Sequence, residues 1–159
     1  MEDKLLAFKA AITAFFTAAA AFLGWQGVLF VLWVVAVAVD FLSGTAAAWL
    51  NGDWASGVAR EGAKHKLGML FVVIVAGITD LTLAFVCQFL LGWAWPVLTL
   101  ALVFTWYILT ESGSILENAV KMGAPIPEWL MRLLAAGLRI INAKGDDLID
   151  LPTDETEIE

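Results

Sequence analysis

The chain has a single cysteine, Cys87, a single histidine, His65, and a single tyrosine. One cysteine allows no disulfide framework within the chain. Cys87 also falls inside an apolar stretch, where a lone cysteine acts as a small packing residue. His65 stands between Lys64 and Lys66 in a polar connection, which suits a solvated loop residue. No two His or Cys residues approach metal-ligand spacing. No glycine-rich phosphate loop occurs, and no serine or acid has a partner base that would define a nucleophilic site. These absences argue against an enzyme, a metal centre or a bound cofactor. Charge is scarce as well, at 16% of residues. The nine basic residues are too few and too close to apolar stretches for nucleic-acid recognition.

Apolar surface is what the chain has in excess. It is 61% apolar with a mean hydropathy of +0.84, whereas a soluble domain is about half apolar. Four long apolar stretches stand out: Ala10–Gly24, Val28–Trp49, Leu67–Leu91 and Trp95–Ile115. About 20 apolar residues cross a hydrocarbon core of about 30 Å. Threaded in alternation, the stretches put every Lys and Arg on one side. Lys4 and Lys9 precede the first, Arg60, Lys64 and Lys66 lie between the second and third, and Lys121, Arg132, Arg139 and Lys144 follow the fourth. The connections Trp25–Gly27 and Gly92–Ala94 carry no Lys or Arg. The positive-inside rule then puts both termini and the central loop in the cytoplasm.

The first stretch is the shortest, with 16 residues between Lys9 and Gln26, and it is rich in alanine. An interfacial or re-entrant helix is its alternative reading. Crossing is favoured because otherwise Lys4 and Lys9 would join the uncharged side. It runs straight into another span, so it does not read as a cleavable signal peptide.

The fold expected is an all-α integral membrane protein. Four transmembrane helices form two hairpins over residues 1–124, a C-terminal cytoplasmic amphipathic helix occupies 125–145, and a disordered acidic tail occupies 146–159. Strands are excluded because four could not close a barrel, and backbone facing lipid must be satisfied within its own segment. Pro96 suits a first helical turn. Asn51-Gly52 can end the second helix through a left-handed residue. Asp53 or Ser56 can cap a short helix leading towards Lys66 within a polar loop Asn51–Lys66. Trp25, Trp93 and Trp95 at one end, and Trp49 and Trp54 at the other, suit interfacial belts. Over Glu128–Lys144, apolar Trp129, Leu130, Leu133, Leu134, Leu138 and Ile141 take one side and Glu128, Arg132, Arg139 and Asn142 the other. Lys121, Arg132 and Arg139 are placed to meet anionic lipid headgroups. The net charge of −7 comes from the tail, where seven acids stand without a base among them.

Several polar residues are out of place in lipid. Asp40 lies in the second stretch and Asp80 near the middle of the third, while Glu111 and Glu117 occupy the cytoplasmic end of the fourth. An ionised carboxylate at the bilayer centre costs about 2.5–3.5 kcal/mol or more, so each must be protonated, paired or facing water. Asp40, Gly44, Ala48 and Gly52 recur every four residues, so one helical stripe joins an acid to small residues that let backbones approach closely. Thr79 and Thr82 could satisfy Asp80 locally. Glu111, Ser114 and Asn118 form a polar stripe that is either a pore lining or an inter-helix hydrogen-bond seam.

The order of these residues resembles a known family. Asp40-Phe-Leu-Ser-Gly44-Thr-Ala-Ala-Ala48, then Gly52, Ser56, Gly62 and Lys66, is similar to the core of the phage-lysis and toxin-secretion holins. So is Glu111-Ser112-x-Ser114-Ile115-Leu116-Glu117-Asn118, followed by Lys121, Gly123, Pro125 and Pro127. The resemblance covers about residues 40–130 and rests on the combination rather than on any one piece. It implies a small bacterial cytoplasmic-membrane protein that gathers as a homo-oligomer and opens lesions to release an endolysin or toxin. It also implies an assembly held closed while the membrane is energised. The acidic tail departs from the basic tail common in holins. The bilayer and other copies of the chain are the expected partners, with endolysin or toxin a functional one. The competing readings are a small-solute or ion channel using Asp40 and Asp80, or a non-conducting adaptor that recruits a partner through the amphipathic helix.

Overall fold

In the computed structural model the described residues are 2–52, 56–95 and 98–149. They are all-helical, with no strand among them. The helices are α1 (Glu2–Leu23), α2 (Trp25–Leu50), α3 (Ser56–Val86), α4 (Thr99–Lys121) and α5 (Glu128–Ile149), and α3 widens at its end into a π-helical turn over Cys87–Leu91. Among the described residues three helices are long and apolar enough to cross a membrane: Trp25–Leu50, Gly62–Leu91 and Thr99–Lys121. Within such segments the helix satisfies every backbone group where water cannot. Val35, Val39, Leu42, Val75, Ile78, Leu81, Phe85 and Leu90 are exposed on them, a burden of bare apolar surface that suits lipid and not water.

The polar segment 51–66 holds the helix expected to lead towards Lys66, but that helix is not short: it runs on unbroken into the third apolar stretch. The chain leaves α2 at Asn51 and Gly52, where Gly52 takes φ +75°, and α3 begins at Ser56. Arg60, Lys64, His65 and Lys66 are therefore helical. No proline occurs between Ser56 and Trp95, and Ala, Glu, Lys and Arg propagate a helix as well as apolar residues do. Asp53, Trp54 and Pro96 fall outside the described residues, as does the tail 150–159.

Side-chain contacts fix the directions of the helices. Trp33 meets Phe104 and Tyr107, with ring centroids 5.7 and 6.5 Å apart, and Asn51 Nδ2 donates to the Lys121 carbonyl at 3.3 Å. So α2 and α4 run parallel. Lys66 meets Glu111 and Asp80 meets Leu100, so α3 runs antiparallel to α4. This up-and-down order is what three successive spans require. The core comprises Trp33, Met69, Val73, Ala76, Leu100, Phe104 and Tyr107. α4 is the central helix, packed by α2, α3 and α5, whereas α1 touches α2 alone. Residues 4–14 of α1 are exposed.

At the end of α4, Gly123 adopts φ +87°, a region open to glycine at little cost. Pro125 and Pro127 then prevent the helix from continuing. The chain reverses there, and α5 returns along α4. A Cβ on Gly137 would lie 3.1 Å from Leu109 Cδ1. α5 continues to Ile149, beyond the boundary at 145, so Asp146 and Asp147 belong to it. Lys144 Nζ lies 3.6 Å from Asp147 Oδ2, and Leu148 extends the inward stripe of Leu130, Leu134, Leu138 and Ile141 by one more repeat.

Candidate functional site

Three helices each contribute one charged residue to a single point inside the bundle. Asp40 on α2, Lys66 on α3 and Glu111 on α4 each stand about ten residues, roughly 15 Å, from Leu50, Ser56 and Lys121 at the same end of their helices. Lys66 Nζ donates to Asp40 Oδ2 at 2.8 Å and also to Glu111 Oε2. The Glu111 side chain is 3% exposed, so this ammonium is its partner in place of water. Asn118 Nδ2 donates to Asp40 Oδ1 at 3.3 Å and to Ser43 Oγ at 3.1 Å. Ser43 Oγ in turn donates to the Asp40 carbonyl at 3.0 Å. Ser114 is half-buried on the same stretch of α4.

The cluster joins residues that the sequence presents as separate features. The acid of the Asp40 stripe and the Glu111–Ser114–Asn118 stripe meet across α2 and α4. The polar stripe thus serves as a seam within one chain. Lys66, expected in a cytoplasmic loop, is the cation between them. With all three groups ionised the cluster carries one more negative than positive charge, and one proton shared by the two carboxyls would make it neutral. Such a cluster is strongly bound while whole, yet it contributes little net stability relative to an apolar core. Its value lies in specifying how the helices dock.

Gly44 is a point of close approach in this docking. A Cβ there would lie 3.4 Å from Asn118 Nδ2. Ala47, rather than Ala48, is the buried small residue in this part of α2, and Gly52 lies past the helix end. The Gly44 position therefore faces a neighbour within the same chain. Gly44→Ala should be tolerated, while Gly44→Leu should displace Asn118 from Asp40. Overpacking of this kind costs about 1–3 kcal/mol, read as an earlier unfolding midpoint in denaturant-titrated micelles. Equal midpoints for Gly44→Leu and the parent would reject this packing.

Asp80 has a separate task. It is 1% exposed and is not satisfied by Thr79 or Thr82. Its Oδ2 accepts from the Leu100 N–H at 2.8 Å, and its Oδ1 from the Thr99 N–H at 3.1 Å and from Trp95 Nε1 at 3.3 Å. A carboxylate on α3 thus caps the first turn of α4. Those N–H groups have no intrahelical partner, and a negative charge suits the positive end of the helix dipole. Glu117, Lys121, Arg132 and Arg139 are exposed and join neither cluster. Arg132 pairs loosely with Glu128 at 3.6 Å. Among the described residues no group of acids, His or Cys could hold a metal ion.

The region that holds these helices is similar to known sequences. The model of the bacteriophage holin family matches residues 17–137. The chain belongs to the bacteriophage holin family. The match takes in α2, α3, α4 and half of α5, so both clusters lie within the family region. An uncharacterized protein of Halalkalibacterium halodurans is 31% identical over 150 residues, covering 91% of this chain and 98% of its own. Uncharacterized proteins of Clostridium perfringens and Listeria innocua are 33% and 31% identical, over 64% and 70% of this chain and 68% and 69% of theirs. No solved structure matches this holin-family chain.

Proposed function

We propose that this membrane protein assembles with copies of itself in the bacterial cytoplasmic membrane and permeabilises it, so that an endolysin or toxin leaves the cytoplasm. The observation that carries the reading, together with family membership, is the Asp40–Lys66–Glu111 cluster. It binds three membrane-length helices at hydrocarbon depth through charge rather than through apolar packing alone. Burial of charge is costly, and the penalty is relieved if the helices part around water. A bundle closed by such a cluster is therefore a latch that holds in lipid and is released by hydration. Nothing in this reading requires catalysis.

The topology proposed is four spans, with α1 crossing ahead of the three apolar helices. The N-terminus, the 51–66 segment and the C-terminal end of α4 face the cytoplasm. The proposed topology keeps the C-terminal tail on that side too and sets Lys121, Arg132 and Arg139 at anionic headgroups, which requires α5 to leave the flank of α4 for the membrane surface. The Asp40–Gly44 stripe and the Glu111–Asn118 seam set the packing. The narrow ion channel is the weaker reading. Asp80 is committed to capping α4 and Asp40 to Lys66, which leaves neither carboxylate free to line a cation path.

Induced expression in a bacterium carrying a cytoplasmic endolysin tests the reading. Growth should continue for a time and then stop abruptly, with lysis only where endolysin is present. Collapsing the membrane potential should advance the event. Asp40→Ala and Glu111→Ala should shift its time, and Cys87→Ala should not. Depolarisation with the endolysin retained in the cells would reject lesion formation and promote the channel.

A further inference from the structure

Where α4 turns back into α5, the two helices leave an open groove of about 870 Å³, within the range of small-ligand sites, about 300–1,000 Å³. Leu116 and Val120 of α4, Ile126 of the connection and Met131 of α5 make most of its wall apolar. Four charged residues complete it: Glu117 and Lys121 on α4, and Glu128 and Arg132 on α5. The helices run antiparallel away from the turn. Lys121 and Glu128 therefore flank the groove beside the turn, and Glu117 and Arg132 flank it one turn, about 6 Å, further in. Each level offers one acid and one base.

These charges do not cancel one another across the groove. Glu128 and Arg132 pair along α5 at 3.6 Å, with both side chains largely exposed. Glu117 and Lys121 make no ion pair among the described residues. All four are thus open to a ligand that brings charge of both signs. The place selects an amphiphile. Lys121 ends a helix long and apolar enough to cross a membrane, so the groove beside it opens where hydrocarbon gives way to headgroups. A phosphate accepts charge-assisted hydrogen bonds from Lys and Arg, and a primary ammonium has three N–H donors for carboxylates.

We propose that the groove between α4 and α5 binds one zwitterionic aminophospholipid, phosphatidylethanolamine. Its phosphate meets Lys121 and Arg132, its ammonium meets Glu117 and Glu128, and its glycerol and first methylenes lie on Leu116, Val120 and Met131. Phosphatidylglycerol brings the phosphate but no cation, so the two acids oppose it. Phosphatidylcholine brings a cation with no N–H to donate. The groove exists only while α5 lies on α4, so a lipid held there stabilises that form over one with α5 on the membrane surface. The site does not depend on lesion formation.

Native mass spectrometry of the full chain tests the assignment, after extraction into nonionic detergent from vesicles of equal parts phosphatidylethanolamine, phosphatidylglycerol and phosphatidylcholine. The chain should retain phosphatidylethanolamine several-fold over the other two. Met131→Trp, which fills the groove, should lose that preference, and Lys144→Gln, which removes a charge of α5 outside it, should keep it. The double change Glu117→Gln and Glu128→Gln should turn the preference to phosphatidylglycerol, a gain that misfolding does not produce. Equal retention of the three lipids by the parent shows surface lipid only and overturns the site. A parent that prefers phosphatidylglycerol, or a preference for phosphatidylethanolamine that survives the double change, overturns the pairing of both charges. Lesion formation is read by lysis and stands or falls apart from each of these outcomes.

Discussion

Lys66→Met should destabilise the bundle severely. It leaves Asp40 and Glu111 facing the same buried space with no cation. Removing one partner of a buried ion pair costs about 3–5 kcal/mol. That is a large share of a total stability that is about 5–15 kcal/mol for a typical domain. The measurement is the unfolding midpoint in mixed micelles, with accumulation in the membrane as a second readout. The triple change Lys66→Met, Asp40→Asn and Glu111→Gln should recover most of the loss, because it removes the charges together and retains hydrogen-bonding groups. A parent-like midpoint for Lys66→Met alone would show that the cluster does not hold the helices. A triple variant as weak as the single one would place the loss in the lysine stem rather than in the charge.

The same residue shows where sequence reasoning reached and where it stopped. The apolar lengths of α2 and α4 were plain, because a span writes its own hydropathy. The polar residues within them were legible too, since Asp40, Asp80, Glu111 and Asn118 have no place in lipid unless something answers them. What answers them was not legible. Lys66 borders the apolar run that starts at Leu67, and beside Lys64 and His65 it reads as the end of a loop. A short helix from Ser56 towards Lys66 was expected, and it is the unbroken run of that helix into the third apolar stretch that carries Lys66 into the bundle. The available signal was arithmetic: two acids in neighbouring spans, and one base at the edge of the span between them. The positive-inside argument used Lys66 as loop charge, and it now rests on Arg60 and Lys64 for that connection.

The packing of α5 was not legible for a different reason. Amphipathicity identified α5 and its faces, but periodicity alone does not say which surface a helix lies against. A lipid headgroup layer and the flank of α4 both accept the stripe Leu130, Leu134, Leu138 and Ile141. The reversal at Gly123–Pro127 and the close approach of Gly137 to Leu109 decide between them in this conformation. The acidic boundary at 146 misled because Asp146 and Asp147 read as tail, whereas the Lys144–Asp147 pair and Leu148 carry the helix on to Ile149.

Asp80→Ala should loosen the start of α4 while leaving the ionic cluster in place. Asp80 receives two backbone N–H groups and one indole N–H, and α4 has no capping side chain of its own at Leu98. Alanine strands those donors in a site that Asp80 keeps dry. Each unsatisfied buried donor costs about 1–3 kcal/mol, so amide exchange at Thr99 and Leu100 should speed up about tenfold to a hundredfold. Asp80→Asn keeps an acceptor oxygen but loses the charge that suits the helix N-terminus, worth up to about 2 kcal/mol when partly buried. It should therefore fall between parent and alanine. Exchange at residues around Glu111 should barely change in either variant, because about a dozen residues of helix separate the two sites along α4. Fast exchange spreading through the whole of α4 would mean that the Asp80 cap and the Lys66 cluster form one cooperative unit. Unchanged exchange at Thr99 and Leu100 would remove Asp80 as the cap.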